Sequence, residues 1–300
     1  GFFVFSQLGL MKNEARRRTM SSSTDLQEFI GKFAFAPEKG FKIGVERECH
    51  LVDQTGIIVP RAPEVLTYLL SRANGHASCY GYELSACQLE ERLPGPSSFW
   101  EVKKLLLRNA EEIEAAERAL GFERVYHGVA PEDMSLEVYP DERYLRITKK
   151  MPVEMLRAAC RVAGVHILVG MPDAETAMKV YNRTVAFLPE LCTLGHTQTG
   201  DRLAVYRSVV LKGIYKSERI KLFEDYLTTA PVPPVYKDWQ AFYERAVIEG
   251  FDEDPRRLWD FIRLSKHGAI EFRMFDTTES IDLIMLWVEY CLDLCQRLAK

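Results

Sequence analysis

The 300-residue chain contains nothing close to the ~18 consecutive apolar residues of a helical membrane span. It carries no positive excess either: 39 Lys and Arg stand against 43 Asp and Glu, a formal net charge of −4. A bulk basic field for nucleic acid or an anionic membrane surface is therefore missing, and an acidic or phosphorylated ligand would have to be met by local cations. No G-x-x-x-x-G-K-[ST] run is present, which excludes the usual glycine-rich phosphate cradle. None of the seven cysteines (Cys49, Cys79, Cys87, Cys160, Cys192, Cys291, Cys295) forms a Cys-x-x-Cys pair. Cys291 and Cys295 lie four apart in a helical run, without a nearby His or Cys to complete a zinc set. Buried, reduced thiols in a cytoplasmic protein are the reading that follows. Internal repeats, low-complexity segments and shifts of composition are also lacking. Residues 21–300 read as a single domain behind a disordered N-terminal extension at 1–20, where an apolar run precedes basic residues, the reverse of a secretory signal.

What is present is an ordinary globular composition, 47% hydrophobic and 27% charged, in a chain long enough to bury a large core. Apolar periodicity and capping signals predict helices over 25–33, 63–73, 99–120, 174–187, 189–194, 237–249 and 280–300. Alternation predicts strands over 42–52, 80–93 with interruptions, 124–130, 161–171 and 268–276. Residues 142–151 read as a loop entering a helix, 230–234 as a rigid linker, and 256–262 as a short helix or a strand entry. Mixed strands and long helices without regular βαβ alternation indicate α+β with a largely antiparallel sheet.

The run KIGVERECHLV, residues 42–52, carries the first chemical signal. On a strand, Glu46, Glu48 and His50 share one face, and Ile43, Val45, Cys49 and Leu51 share the other, interrupted by Arg47. Two neighbouring carboxylates repel unless a cation separates them; the alternative is an edge strand with a solvated face. The same pattern recurs with Glu271 and Arg273 in 268–276 and with His166 in 161–171. Glu83 and Glu90 lie an odd number apart, so they converge only if the chain bulges or turns between them, near Ser85 and Ala86. If these faces line one surface, four or five carboxylates meet a His and an Arg. An oxygen-rich set of that kind suits Mg²⁺ or Mn²⁺, which commonly share their shell with phosphate oxygens.

These segments together resemble the type-2 glutamate–cysteine ligase family, which includes bacterial carboxylate–amine ligases. The resemblance is carried by KIGVERECHLVD at 42–53, ELSACQLE at 83–90, DERYLRI at 141–147, AGVHILVG at 163–170, Tyr206-Arg207-Ser208, and HGAIEFRMFD at 267–276, in the family's order. It implies a glutamine-synthetase-like fold, a curved antiparallel sheet with helices behind and the active site on the concave face. It also implies ATP- and Mg²⁺-dependent amide formation through an acyl phosphate, with glutamate as acyl donor and an amine as acceptor. By position, Glu46, Glu48, Glu83, Glu90 and Glu271 become metal ligands. Arg207, Arg263, Arg273 and His166 face the nucleotide or its phosphates, Arg143 faces a substrate carboxylate, and Glu46, Glu48 and Arg273 are the catalytic set. The partners implied are small-molecule substrates and, through exposed sheet edges, a homo-oligomer; nucleic acid and membrane are not among them.

Two departures stand out. Leu168 occupies the position of the family's second strand His, and Glu91-Arg92-Leu93 follows the acidic stretch where a Thr is common. Two other readings accompany the ligase: a phosphotransferase of the same fold, and a catalytically degraded homologue that binds nucleotide or regulates a partner.

Overall fold

A computed structural model of the chain describes residues 23–72, 76–149, 151–197, 202–203, 233–258 and 260–300. Arg207, the extension at 1–20 and most of the expected linker at 230–234 lie outside the described residues.

Among the described residues seven strands form one antiparallel sheet: β1 (Ile43–Val52), β2 (Tyr80–Tyr82), β3 (Gln88–Arg92), β4 (Glu123–Val125), β5 (Gly164–Gly170), β6 (Ile262–Ser265) and β7 (Ala269–Asp276). Their order is β2-β3-β1-β5-β7-β6, and β4 pairs with the far end of β1, beyond β5. The strand with two carboxylates on one face is thus central, not an edge, and the solvated-edge alternative is removed.

Helices cover the face bearing Ile43 and Val45. α1 (Ser23–Ile30) and α2 (Ala62–Arg72) precede the long α3 (Phe99–Leu120). α4 (Glu142–Thr148) and α5 (Val153–Arg161) lead into β5. α6 (Ala174–Thr184), α7 (Leu188–Gly195), α8 (Trp239–Glu249) and α9 (Ile281–Ala299) complete the order. α3 starts where Pro94-Gly95-Pro96 breaks the chain and Ser98 and Glu101 form a capping box. It ends at Gly121, whose φ of 68° a side chain would strain, with the Gly121 N–H donating to the Glu117 carbonyl at 2.8 Å. α9 buries Ile284, Trp287, Val288, Cys291, Leu294 and Cys295 at helical spacing. With Val102 and Leu106 of α3 and Val165, Ile167 and Val169 of β5, these form the main core. Each such side chain contributes roughly 1.5–3 kcal/mol by leaving water.

The sequence reading and the structure part at several bounds. The stretch 142–151, read as a loop entering a helix, is already helical as α4, and α5 follows it, so β5 begins at Gly164 rather than 161; the strand expected over 124–130 is limited to β4. The undecided stretch 256–262 is a 3₁₀ turn at Pro255–Arg257 followed by strand β6. The α+β class and the antiparallel sheet are as expected. No helix among the described residues is long and apolar enough to cross a membrane.

Candidate active site

The face opposite α3, α6 and α9, bordered by α4 and α5, is where the sequence-predicted residues gather. β1 supplies Glu46 and Glu48, with Glu46 opposite His166 of β5 and Glu48 opposite Glu90 of β3. Between β2 and β3 the chain turns at Ala86 and Cys87, and Ser85 makes an isolated bridge to Val138. That break reverses the alternation, so Glu83 and Glu90 come together and share a hydrogen bond. On β7 the register shifts: Val165 and Ile167 of β5 face Phe275 and Phe272, which leaves one extra residue in β7. Glu271 and Arg273 flank that bulge on the site side. Leu168 lies between Gly44 and Glu271 in the same cross-strand row.

A cavity of about 790 Å³ opens over this face, within the range of small-molecule sites. Glu46, Glu48, Glu83, Glu90, His166 and Arg273 all line it. Arg143, from the first turn of α4, and Arg263 line it as well. Glu271 lies just beneath, 1% exposed, gripped by Arg263 Nε at 2.8 Å and by Arg273. Every described residue of the predicted set thus converges on one cavity.

The carboxylates fall into two groups. Ligand atoms of Glu46, His166 and Glu271 lie within 4.8 Å of one another, and so do those of Glu48, Glu83 and Glu90. In the first group cations hold the acids ionised. Burial alone would raise the Glu46 carboxyl, but the 3.1 Å hydrogen bond with His166 Nδ1 and the nearby Arg273 keep it below its ordinary value. Burial opposes the ionised form of Glu271 too, and Arg263 and Arg273 override it, holding its carboxyl well below the ordinary range. In the second group the balance is reversed. Burial, followed by the charge of Glu48, pushes Glu83 up to about 7. Burial and the charges of Glu46 and Glu83 push Glu90 up as well, and Arg92 at 3.1 Å offsets this only in part. A Glu83–Glu90 hydrogen bond requires that one of the two carboxyls carry a proton. Glu48 Oε2 accepts the Gly164 N–H at 2.7 Å, which fixes its direction.

Sequence reasoning overlooked several cavity residues. Arg256 and Arg257 come from the 3₁₀ turn, and Arg202 from a short described segment between residues 198 and 232. Arg202 is buried, donates to the Arg273 carbonyl at 3.2 Å and lies flat on Gly164, where a Cβ would sit 2.0 Å from its guanidinium. Arg256 and Arg257 fall in the stretch that reads as a short helix or a strand entry, too short for a period to fix their direction, and Arg202 lies in no predicted element. Tyr82 and Tyr144 also line the wall. Tyr82 stacks on Tyr139 with ring centroids 4.0 Å apart, and its hydroxyl donates to Asp141 at 2.9 Å. Asp141 also accepts the backbone N–H groups of Arg143 and Tyr144, and so caps α4 and sets the direction of Arg143.

His50 shares a face with the site glutamates in the sequence pattern but plays no part in the cavity. It is fully buried, 3.3 Å from the Cys160 carbonyl and 3.2 Å from Gln88 Nε2, and burial pushes its imidazole down to about 4, so it stays neutral. Arg47, the one charged residue of β1 on the helix-covered face, pairs there with Glu91, stacks over Tyr126 at 4.9 Å and donates to the Thr278 and Glu279 carbonyls.

Comparison with known proteins extends the picture. The model of glutamate–cysteine ligase family 2 matches residues 42–300. The "Putative glutamate–cysteine ligase 2" of Roseiflexus castenholzii is 25% identical over 257 residues, covering 82% of this chain and 64% of that protein. The glutamate–cysteine ligase of Natronomonas pharaonis is 26% identical over 259 residues, covering 83% of this chain and 67% of that one. The chain therefore spans about two thirds of the length of these relatives. Among solved structures, a bifunctional glutathione synthetase from Pasteurella multocida superposes with a TM-score of 0.52 at 12% identity, over 93% of this chain and 40% of that one. At that identity the likeness is one of fold.

Proposed function

The chain belongs to glutamate–cysteine ligase family 2, and from that premise we propose that it is an ATP- and Mg²⁺-dependent carboxylate–amine ligase. In this reading it joins glutamate to an amine by way of an acyl phosphate. The observation that carries the proposal is the pair of ligand groups, Glu46–His166–Glu271 and Glu48–Glu83–Glu90, on one cavity wall with arginines around them.

The residues fit a divalent cation. Five of the six donors are carboxylates, the hard oxygen ligands that Mg²⁺ and Mn²⁺ prefer. The proton held between Glu83 and Glu90 is what a cation would displace. When bound, the metal neutralises phosphate charge and polarises the phosphoryl group being transferred. The protein's own contribution is positioning and charge. Gly164 aims Glu48, and Arg263 and Arg273 aim Glu271 and keep it ionised. Arg273 and Arg263 also present cationic surface to phosphate oxygens at the β6–β7 end of the cavity. Arg143, held by the Asp141 cap, meets a substrate carboxylate. Cytoplasmic residence accompanies this reading, supported by seven free thiols.

ADP and phosphate release that requires both glutamate and an amine tests the proposal. Glu46→Gln should lower that turnover at least 100-fold while leaving the thermal melt cooperative. Full activity in this variant would remove Glu46 from the metal site. A homologue that binds nucleotide without turnover is the second reading, favoured by Leu168 in the ligand row. Calorimetry with Mg-ATP separates the two, because binding in the absence of turnover across all amines supports the second.

A further inference from the structure

The cavity wall is not uniformly polar. Leu84, Met151, Ala159 and Val162 line it together, and each is only half-buried: Leu84 and Val162 rest partly on the core, and the four leave apolar surface open to the cavity. They come from the turn after β2, the entry to α5 and its C-terminal end. Gln88 fastens this wall to β3 by donating to the Val162 carbonyl at 2.7 Å. Arg143 and Arg146 of α4 line the same cavity.

This wall and the arginine-rich end of the cavity are built from different parts of the chain. Arg256, Arg257, Arg263, His267 and Arg273 come from the segment running through β6 and β7. A triphosphate needs cations, so it belongs there. The apolar wall comes from the β3 and α5 side of the sheet, next to Glu83 and Glu90. A carboxylate about to be phosphorylated must reach the phosphate end, which leaves the apolar side to the group that attacks it. An aliphatic wall accompanied by guanidinium groups suits a molecule with an apolar side chain and a carboxylate.

We infer that Leu84, Met151, Ala159 and Val162 form the side-chain subsite for the acceptor, an α-amino acid with an aliphatic side chain of about the size of leucine or methionine, its carboxylate held by Arg143 and Arg146. The inference rests on the ligase reading and specifies which amine that reading uses. Ala159 sets the depth of the subsite, since it is the smallest side chain on the wall.

The test is an ADP-release assay on the full chain with Mg²⁺, ATP and glutamate fixed and the amine varied. The panel comprises glycine, alanine, cysteine, leucine, methionine, lysine, aspartate and isopentylamine, which has leucine's side chain without its carboxylate. Leucine and methionine should exceed alanine in kcat/KM by roughly 10- to 100-fold, since each buried methylene is worth about 0.8 kcal/mol. Isopentylamine should fall at least tenfold below leucine. Ala159→Phe should collapse the leucine-to-alanine ratio at least tenfold through KM, and Leu84→Ala, a milder change, should lower it by about threefold to tenfold. Turnover that favours cysteine, lysine or aspartate, or a ratio unmoved in both variants, overturns the inference and leaves the ligase intact. ADP release with no member of the panel overturns the ligase reading and this inference with it.

Discussion

Replacing Glu83 by Gln should make the metal-free protein more stable while weakening its hold on divalent cations. Glu83 faces Glu90 across a hydrogen bond and stands near Glu48, and its carboxyl is pushed from an ordinary 4.5 up to about 7, chiefly by burial. A carboxyl raised in the folded state contributes its stability in full below about 4.5 and loses it as pH rises through 7. The interval from 4.5 to about 7, at roughly 1.4 kcal/mol per pH unit, amounts to about 3 kcal/mol lost by the native protein above neutrality. Gln has nearly the same shape, carries no charge to bury, and its amide donates to Glu90 without a shared proton. Urea melts in EDTA at pH 5 and pH 8 measure the effect. Glu83→Gln should gain about 3 kcal/mol over the native protein at pH 8 and about 1 kcal/mol or less at pH 5. In a thermal melt at pH 8 the gain corresponds to roughly 5–10 °C. Adding Mg²⁺ at pH 8 should raise the native Tm more than the variant's, because a cation offsets the repulsion and burial cost of the ionised Glu83, which Gln does not carry. A variant less stable than the native protein at both pH values by the same amount would refute the reasoning, since a merely structural glutamate behaves that way.

Three further outcomes follow from other contacts. Arg47→Ala should cost about 3–5 kcal/mol in urea unfolding, because it leaves Glu91 buried without a partner, and Glu91→Gln in the same background should recover part of that loss. Gly164→Ala should displace the Arg202 guanidinium, which a Cβ would meet at 2.0 Å; expected are a loss of about 1–3 kcal/mol in stability and a weaker Mg²⁺-induced rise in Tm, read by calorimetry. Gly121→Ala, at φ 68°, should cost about 1 kcal/mol and leave Mg²⁺ binding unchanged.

The parts of the site that sequence disclosed are those written in strand alternation. Glu46 and Glu48 declared their shared face without knowledge of any partner strand, and Glu271 with Arg273 did likewise. Glu83 and Glu90 were legible only as a condition, because their odd spacing required the turn found at Ala86 and Cys87. Arg47 was visible as an anomaly but its role was not. Its partner Glu91 is 44 residues away, and only the β1–β3 register brings the two together. Arg202, Arg256 and Arg257 reach the cavity from turns and a short segment, where no period exists to reveal direction. The bounds of α4 and α5 escaped notice because seven and nine residues give too few turns for a 3.6-residue period to separate them from the loop before and the strand after.

The charged residues on both faces of β1 have a consequence for how this gene can change. Glu46 and Glu48 look into the cavity while Arg47 between them is locked to Glu91 under the helices. Losing or gaining one codon in that strand would turn an arginine towards the cavity and drive two carboxylates into the apolar layer at once. Point substitutions here alter one face at a time, but a single-residue indel damages the cavity lining and the packing together. Length variation in this chain is therefore expected to accumulate in its loops and to spare the ten residues of its central strand.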